Sequence, residues 1–208
     1  KALHFTASNG TDLTVELTKY SKYSFKRRPD AIRFNANIPT EEICTTPYKY
    51  GTEGVVYASR PLILGGKKVE NFGFRFEKGK VVEVIANEGK EMLEALVNTD
   101  EGSAYLGETA LVEYSSAISQ SGLVYYNTLI DENASCHLAL GRGFENCIAD
   151  FAKYTQQEMR EMGINDSMFS AVLRIRKKKI KGKKLEKHEE EFYRENKSVS
   201  DLKKAESG

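Results

Sequence analysis

The chain has only three cysteines, Cys44, Cys136 and Cys147, and no two of them form a CxxC pair. That scarcity argues against a disulfide framework and against a structural zinc ribbon, both of which need clustered thiols. A reducing, cytoplasmic setting is the simplest expectation, with each cysteine serving as a small buried apolar residue. Long apolar runs are missing too, since no stretch approaches the roughly 20 residues that a membrane helix needs. The chain opens on Lys1 rather than Met, which suggests a fragment or a trimmed chain. No basic-then-apolar leader follows, so no secretory signal is expected. Histidine is equally sparse: imidazole chemistry is confined to His4, His137 and His188.

What is present is ordinary in bulk and uneven in detail. A length of 208 residues suffices for one large domain or two small ones. Hydrophobic residues at 40% and charged residues at 29% fit a globular chain. The net charge of +1 hides an asymmetry, because Leu173–Gly208 holds 13 Lys or Arg against 7 Asp or Glu. Residues Lys1–Val172 carry 18 against 23, so the two parts differ in sign. This divides the chain into a first region, 1–172, and a basic, charged tail, 173–208.

Turn chemistry and apolar periodicity outline the elements. Asn9-Gly10 between alternating segments predicts a hairpin over residues 2–19. Val55–Ser59 reads as a strand. Lys68–Glu77, which alternates in its second half, and Val81–Ala86, with Lys78-Gly79 as the turn, predict a second hairpin. Pro39 marks a loop over Asn37–Glu42. Glu91–Val97 reads as a short helix with Met92, Leu93 and Leu96 on one face, and Thr109–Val112 as a strand. Residues 133–152 are the strongest helix candidate, weakened by Gly141 and Gly143. A further short helix is expected over Gln156–Met162, ended by Gly163. Strands dominate the first half and helices the second, which predicts an α+β fold with a mainly antiparallel sheet.

Metal binding needs convergent carboxylates or imidazoles, and one segment offers both: Asp131-Glu132-Asn133-Ala134-Ser135-Cys136-His137. Glu132 and His137 are about 140° apart around an ideal helix, so they cannot share one helical face. They converge only if Glu132 lies in the loop before the helix, with Asp131 or Asn133 as N-cap. The bland alternative is a capped helix carrying one ordinary histidine. Glu41-Glu42 is a second carboxylate position, otherwise a solvated pair. Glu108, just before the apolar Thr109–Val112, is a third, otherwise an exposed strand end.

Ordered blocks of sequence carry a resemblance. They are Asn37–Glu42 with Thr45-Thr46-Pro47, Glu53-Gly54, Thr99–Gly102, Leu106–Val112, Ser119–Gly122 and Tyr126–Arg142. Over about residues 35–167 the chain resembles the thermophilic metalloaminopeptidase family (aminopeptidase T and aminopeptidase S type), in its C-terminal, metal-binding half. The resemblance implies that Glu42, Glu108, Glu132 and His137 are metal ligands, with Glu108 bridging two divalent ions (zinc, cobalt or magnesium). It implies that the ions activate water and polarise the scissile carbonyl; Glu41 is a candidate general base on its adjacency to Glu42 alone. It further implies peptide substrates cut at their N-terminal residue and a cytoplasmic homodimer.

Three departures qualify that implication. The family motif continues after Asn165-Asp166-Ser167 with a His-x-Asp, and Ser170 and Val172 stand at those positions here. Phe144 stands where the family has a Tyr, so a hydroxyl is absent. Beyond Val172 the resemblance is expected to stop at the basic tail, which reads as a solvated helix, a disordered tail or a nucleic-acid patch. The run lacks interleaved aromatics, so nucleic acid is not the expected partner. Three functions stay open: a metal-dependent aminopeptidase impaired by the two lost ligands, an inactive truncated or frameshifted fragment, and a binding module using the tail.

Overall fold

The structure, a computed structural model, describes residues 1–23, 41–64 and 67–168, with the backbone alone of Lys26–Arg27, Arg33–Phe34 and Ser170–Arg174. Most of the predicted loop before Glu42 and the basic tail from residue 175 onward, with His188, lie outside the described residues.

β1 (Ala2–Thr6) and β2 (Asp12–Leu17) form the first expected hairpin. His4 lies on β1 as a surface residue, its Nε2 2.7 Å from Asp12, and among the described residues it joins no group of metal-ligating side chains. β3 (Lys26–Arg27) and β4 (Arg33–Phe34) make a small ribbon, and β5 (Glu42–Thr45) follows. β6 (Pro47–Tyr57) is longer than the expected Val55–Ser59 and ends before Ala58. After a second ribbon, β7 (Leu62–Leu64) with β8 (Lys67–Val69), come β9 (Phe72–Glu77) and β10 (Lys80–Ala86). The tight turn between β9 and β10 puts Lys78 at φ 49° and Gly79 at φ 80°, the pair of positive angles that a two-residue hairpin requires. A side chain on Gly79 would also run into the Lys49 carbonyl.

The expected short helix is α1 (Lys90–Val97), which buries Leu93, Leu96 and Val97. β11 (Leu106–Val112), α2 (Ala117–Ser121) and α3 (Thr128–Asp131) follow. The strongest helix candidate is overturned. Residues 133–152 contain β12 (His137–Gly141), preceded by a 3-10 turn, Glu132–Ala134, and followed by two more, Glu145–Cys147 and Phe151–Lys153. All five residues of β12 are buried. A strand buried on both faces has no polar alternation to announce it and reads like a helix of Leu and Ala. α4 (Gln156–Glu161) is present as expected, its start fixed by a capping box in which Thr155 and Glu158 each bond the other's backbone N–H. β13 (Ser170–Arg174) is last. The second half is therefore not mainly helical, since it supplies three of the four strands of the second sheet.

The fold is α+β with antiparallel sheets. One sheet has the order β1-β2-β6-β9-β10 and the other β13-β12-β11-β5. They share one core. Phe72, Phe74 and Phe76 alternate along β9 and pack with Leu13, Val15 and Val56, and Leu106, Leu111, Leu138 and Leu140 of the second sheet join the same cluster. Each buried Phe contributes about 1.5–3 kcal/mol of hydrophobic stabilisation. Residues facing this core take one face of β11 and β12, and the other face is left for Glu108 and His137.

Asp100 ties the approach to β13 in place. Its carboxylate accepts from the Met168 N–H at 2.8 Å, from the Ser167 hydroxyl at 2.9 Å and from both the N–H and hydroxyl of Ser103. Partial burial pushes its pKa up, but these hydrogen bonds outweigh burial and hold it at about 2.

Candidate metal centre

Three neighbouring strands bring three acid–base groups together. Glu42 opens β5, Glu108 lies inside β11, and His137 opens β12. In the antiparallel ladders Glu42 pairs with Val112, His137 with Ala110 and Glu108 with Ala139. Side chains two apart on a strand share a face, so all three residues present theirs on the face opposite the core. Ala110 sits opposite Cys44 on one side and His137 on the other. Its single methyl leaves space between the three larger groups. A bulge between Leu106 and Glu108 adjusts the register just before the Glu108 side chain.

One ligand atom from each of Glu42, Glu108 and His137 falls within 4.8 Å of the others, and all three residues are buried. Glu42 Oε2 is 3.1 Å from His137 Nε2, yet neither atom has a hydrogen-bond partner of acceptable geometry. The contact is charge attraction without alignment. The other imidazole nitrogen, Nδ1, lies 3.2 Å from the Ser135 carbonyl oxygen. That oxygen can only accept, so Nδ1 carries a hydrogen and Nε2 is the nitrogen turned into the cluster, offering its lone pair once its proton is displaced.

Electrostatics agree with an unsatisfied cation site. Burial alone would lower the His137 pKa, but Glu42, Glu108 and Glu132 outweigh it and raise it to about 9. Burial raises the Glu108 pKa, Glu42 adds to the rise, and His137 and the Cys44 thiol oppose it. The Cys44 thiol is itself pushed up by its neighbour Cys147, by burial and by the two glutamates. Two carboxylates and one imidazole with orphaned buried atoms suit a divalent cation that accepts nitrogen and oxygen ligands. The residues present therefore fit a metal ion.

Of the five residues singled out in the sequence, the structure groups Glu42, Glu108 and His137 within ligand distance of one another. Glu108 is buried inside its strand rather than standing before it. Glu132 is buried in the 3-10 turn, near enough for its charge to act on His137, but outside the set of three. The helical angle between Glu132 and His137 does not apply, because no helix joins them. Glu41 is half-buried, with a buried Oε2 that has no hydrogen-bond partner. Neither Asp131 nor Asn133 caps a helix with its side chain here: Asn127 caps α3, accepting from Leu129 N. Asp131 instead accepts from Tyr125 N, and Asn133 accepts from Glu41 N at 2.7 Å. Sequence reasoning passed over Cys44, although its place two residues after Glu42 on a strand gives it the same face. It also passed over Ala110, for which no sequence signal exists.

On the far side of β12, β13 pairs Ser170 with Gly141, Val172 with Ala139 and Arg174 with His137. These register positions adjoin the strand that bears His137. Phe144 is partly exposed just beyond β12, with its N–H donating to Thr46 Oγ1 at 2.8 Å and its carbonyl accepting from the same hydroxyl.

Comparisons with known proteins agree with the fold. The profile of the family described as thermophilic metalloprotease (M29) matches residues 1–197. The match thus extends beyond 35–167 at both ends and past Val172, where the resemblance was expected to stop. Aminopeptidase AmpS of Bacillus subtilis (strain 168) is 45% identical over 169 residues, covering 80% of this chain and 41% of the relative. Aminopeptidase T of Thermus aquaticus is 44% identical over 169 residues, with the same two coverages. The solved structure of wild-type AmpT from Thermus thermophilus matches with a TM-score of 0.74 at 40% identity, covering 84% of this chain and 43% of that one. The chain spans about two-fifths of the length of the curated relatives it matches.

Proposed function

The chain belongs to the thermophilic metalloprotease (M29) family, and on that premise we propose that it is the metal-binding part of an aminopeptidase that releases N-terminal residues from peptides. The observation that carries this reading is the convergence of Glu42, Glu108 and His137 around buried, unpartnered Oε2 and Nε2 atoms. In this proposal these three residues are ligands and Glu132 is a fourth. Glu108, on the middle strand of the three, would be the residue shared between two divalent ions of the zinc, cobalt or magnesium type. Such ions, when bound, polarise the scissile carbonyl and lower the pKa of water.

The chain's own groups then have distinct tasks. Ser135 fixes the His137 tautomer through its carbonyl, so that Nε2 faces the site. Glu41, beside the ligand Glu42, accepts the proton from the attacking water as general base, and its buried Oε2 is available for that role. Short peptides with a free α-amine are the proposed substrates, the acidic groups of the site attracting that amine. A cytoplasmic homodimer is the proposed setting.

Zinc or cobalt content and turnover of a leucine-linked chromogenic substrate test the reading. We expect stoichiometric metal and measurable hydrolysis, both lost in Glu108→Gln. Absence of bound metal in the folded parent chain would sink the proposal.

A second reading is favoured by β13. Val172 and Ser170 stand opposite Ala139 and Gly141, where the family resemblance implies a His-x-Asp pair of ligands. Metal binding with little or no turnover would then be the outcome, and measuring metal content and hydrolysis on the same sample separates the two readings.

A further inference from the structure

Glu41 stands just outside its strand. The β5–β11 ladder ends at the pair Glu42–Val112, so the Glu41 N–H has no partner strand to bond. It donates instead to Asn133 Oδ1 at 2.7 Å, across 92 residues of sequence. Asn133 is fully buried, and its side chain is used at both ends: Nδ2 donates to the Leu129 carbonyl at 2.9 Å. Its own carbonyl accepts from the Ser116 hydroxyl at 2.8 Å, and the same hydroxyl caps α2 by accepting from Ser119 N. The residue is therefore held from three directions.

Its position in the chain gives this clamp a consequence. Asn133 directly follows Glu132 and precedes His137 by four residues, while Glu41 adjoins Glu42. One short hydrogen bond thus joins the segment bearing Glu132 and His137 to the segment bearing Glu41 and Glu42. We propose that Asn133 is a positioning residue of the metal centre, fixing the Glu41–Glu42 segment against the Glu132–His137 segment through the Glu41 N–H. The inference rests on the metal-peptidase reading above. An amide suits the task because it accepts from one backbone group and donates to another within one rigid plane. Aspartate could keep the acceptor but not the donor, and alanine neither.

Two variants of the full chain and three readouts test this. In Asn133→Ala, amide hydrogen exchange at Glu41 should accelerate to that of an unbonded N–H. Its zinc affinity, by competition with a chromophoric chelator, should fall about 10–100-fold, the usual cost of losing a partner that orients ligands. Its kcat should fall more than its KM changes. Asn133→Asp, which keeps the acceptor for Glu41, loses the donor to Leu129 and adds a buried negative charge beside the acidic cluster, should keep Glu41 protected and bind zinc at least as tightly as the parent. Parental zinc affinity in a folded Asn133→Ala overturns the proposal. So does a folded Asn133→Asp that keeps Glu41 protected and loses zinc, because that places the effect outside the Glu41 bond. If Asn133→Ala does not fold, Asn133→Asp decides on the same terms. If the parent itself binds no zinc, the metal reading fails separately, and parental Glu41 exchange in Asn133→Ala would still overturn the clamp.

Discussion

At the scale of single residues, the site is a set of groups that satisfy one another poorly without a cation. His137 is buried among carboxylates, and its pKa is raised to about 9, above the ordinary value of about 6.5. In the metal-free protein its contribution to stability is fully present below about pH 6.5 and is lost as pH rises through about 9. A metal ion at Nε2 must displace that proton. Metal affinity should therefore rise with pH, by about tenfold per unit for each proton displaced, and level off near pH 9. Zinc titrations between pH 6 and 8.5 with a competing chelator measure this slope. A flat profile over that range would mean that His137 is not a ligand. The residue types were readable beforehand because histidine is so scarce, and because Glu42 and Glu108 fall in blocks that resemble a known family. The roles of Asn133 and Ala110 were not readable, since each depends on which strand lies opposite.

At the scale of elements, local signals and tertiary signals had different fates. The two hairpins announce themselves through Asn9-Gly10 and Lys78-Gly79, whose backbone angles depend on nearby residues alone. α4 does so through its Thr155 and Glu158 capping box. β12 does not, because its strand state depends on being sandwiched between β11 and β13. His137 was therefore assigned to a helix, with Glu132 in the loop before it, when a strand and a 3-10 turn carry them. The same dependence on neighbours makes β11 sensitive at Gly107, which sits in the bulge next to Glu108. A methyl group there would collide with the Arg142 and Gly141 carbonyl oxygens, so β11 and the chain beyond β12 must separate to admit it. Gly107→Ala should destabilise the fold by about 1–3 kcal/mol, in the range of an overpacked core. It should also weaken zinc binding, because the Glu108 carboxylate moves with its strand. Denaturant unfolding and metal titration of the same variant check both effects. Parental values for the two would show that the bulge can absorb the methyl group.

At the scale of the molecule, the two sheets are joined by a single core, and the candidate metal centre lies on the face of the second sheet opposite that core. Among the described residues no helix is long and apolar enough to cross a membrane, and the family match runs through nearly the whole chain. The core and the centre are coupled by geometry: Leu138 faces the Phe-rich core while its neighbour His137 faces the site, so unfolding β12 dissolves both. A ligand that binds only the folded state stabilises it by mass action, by about 2.7 kcal/mol at 100 times its dissociation constant. For a domain of this size each kcal/mol moves the melting temperature by about 2–4 °C. Zinc at that excess should therefore raise the melting temperature by about 5–10 °C over the chelator-treated protein. Glu108→Gln should melt at one temperature with or without zinc, because it removes a charge from the middle of the three converging groups. Equal melting temperatures for the parent with zinc and with chelator would mean that the folded centre holds no ion, and that the burial of Glu42, Glu108 and His137 must be stabilised by their mutual charge attraction alone.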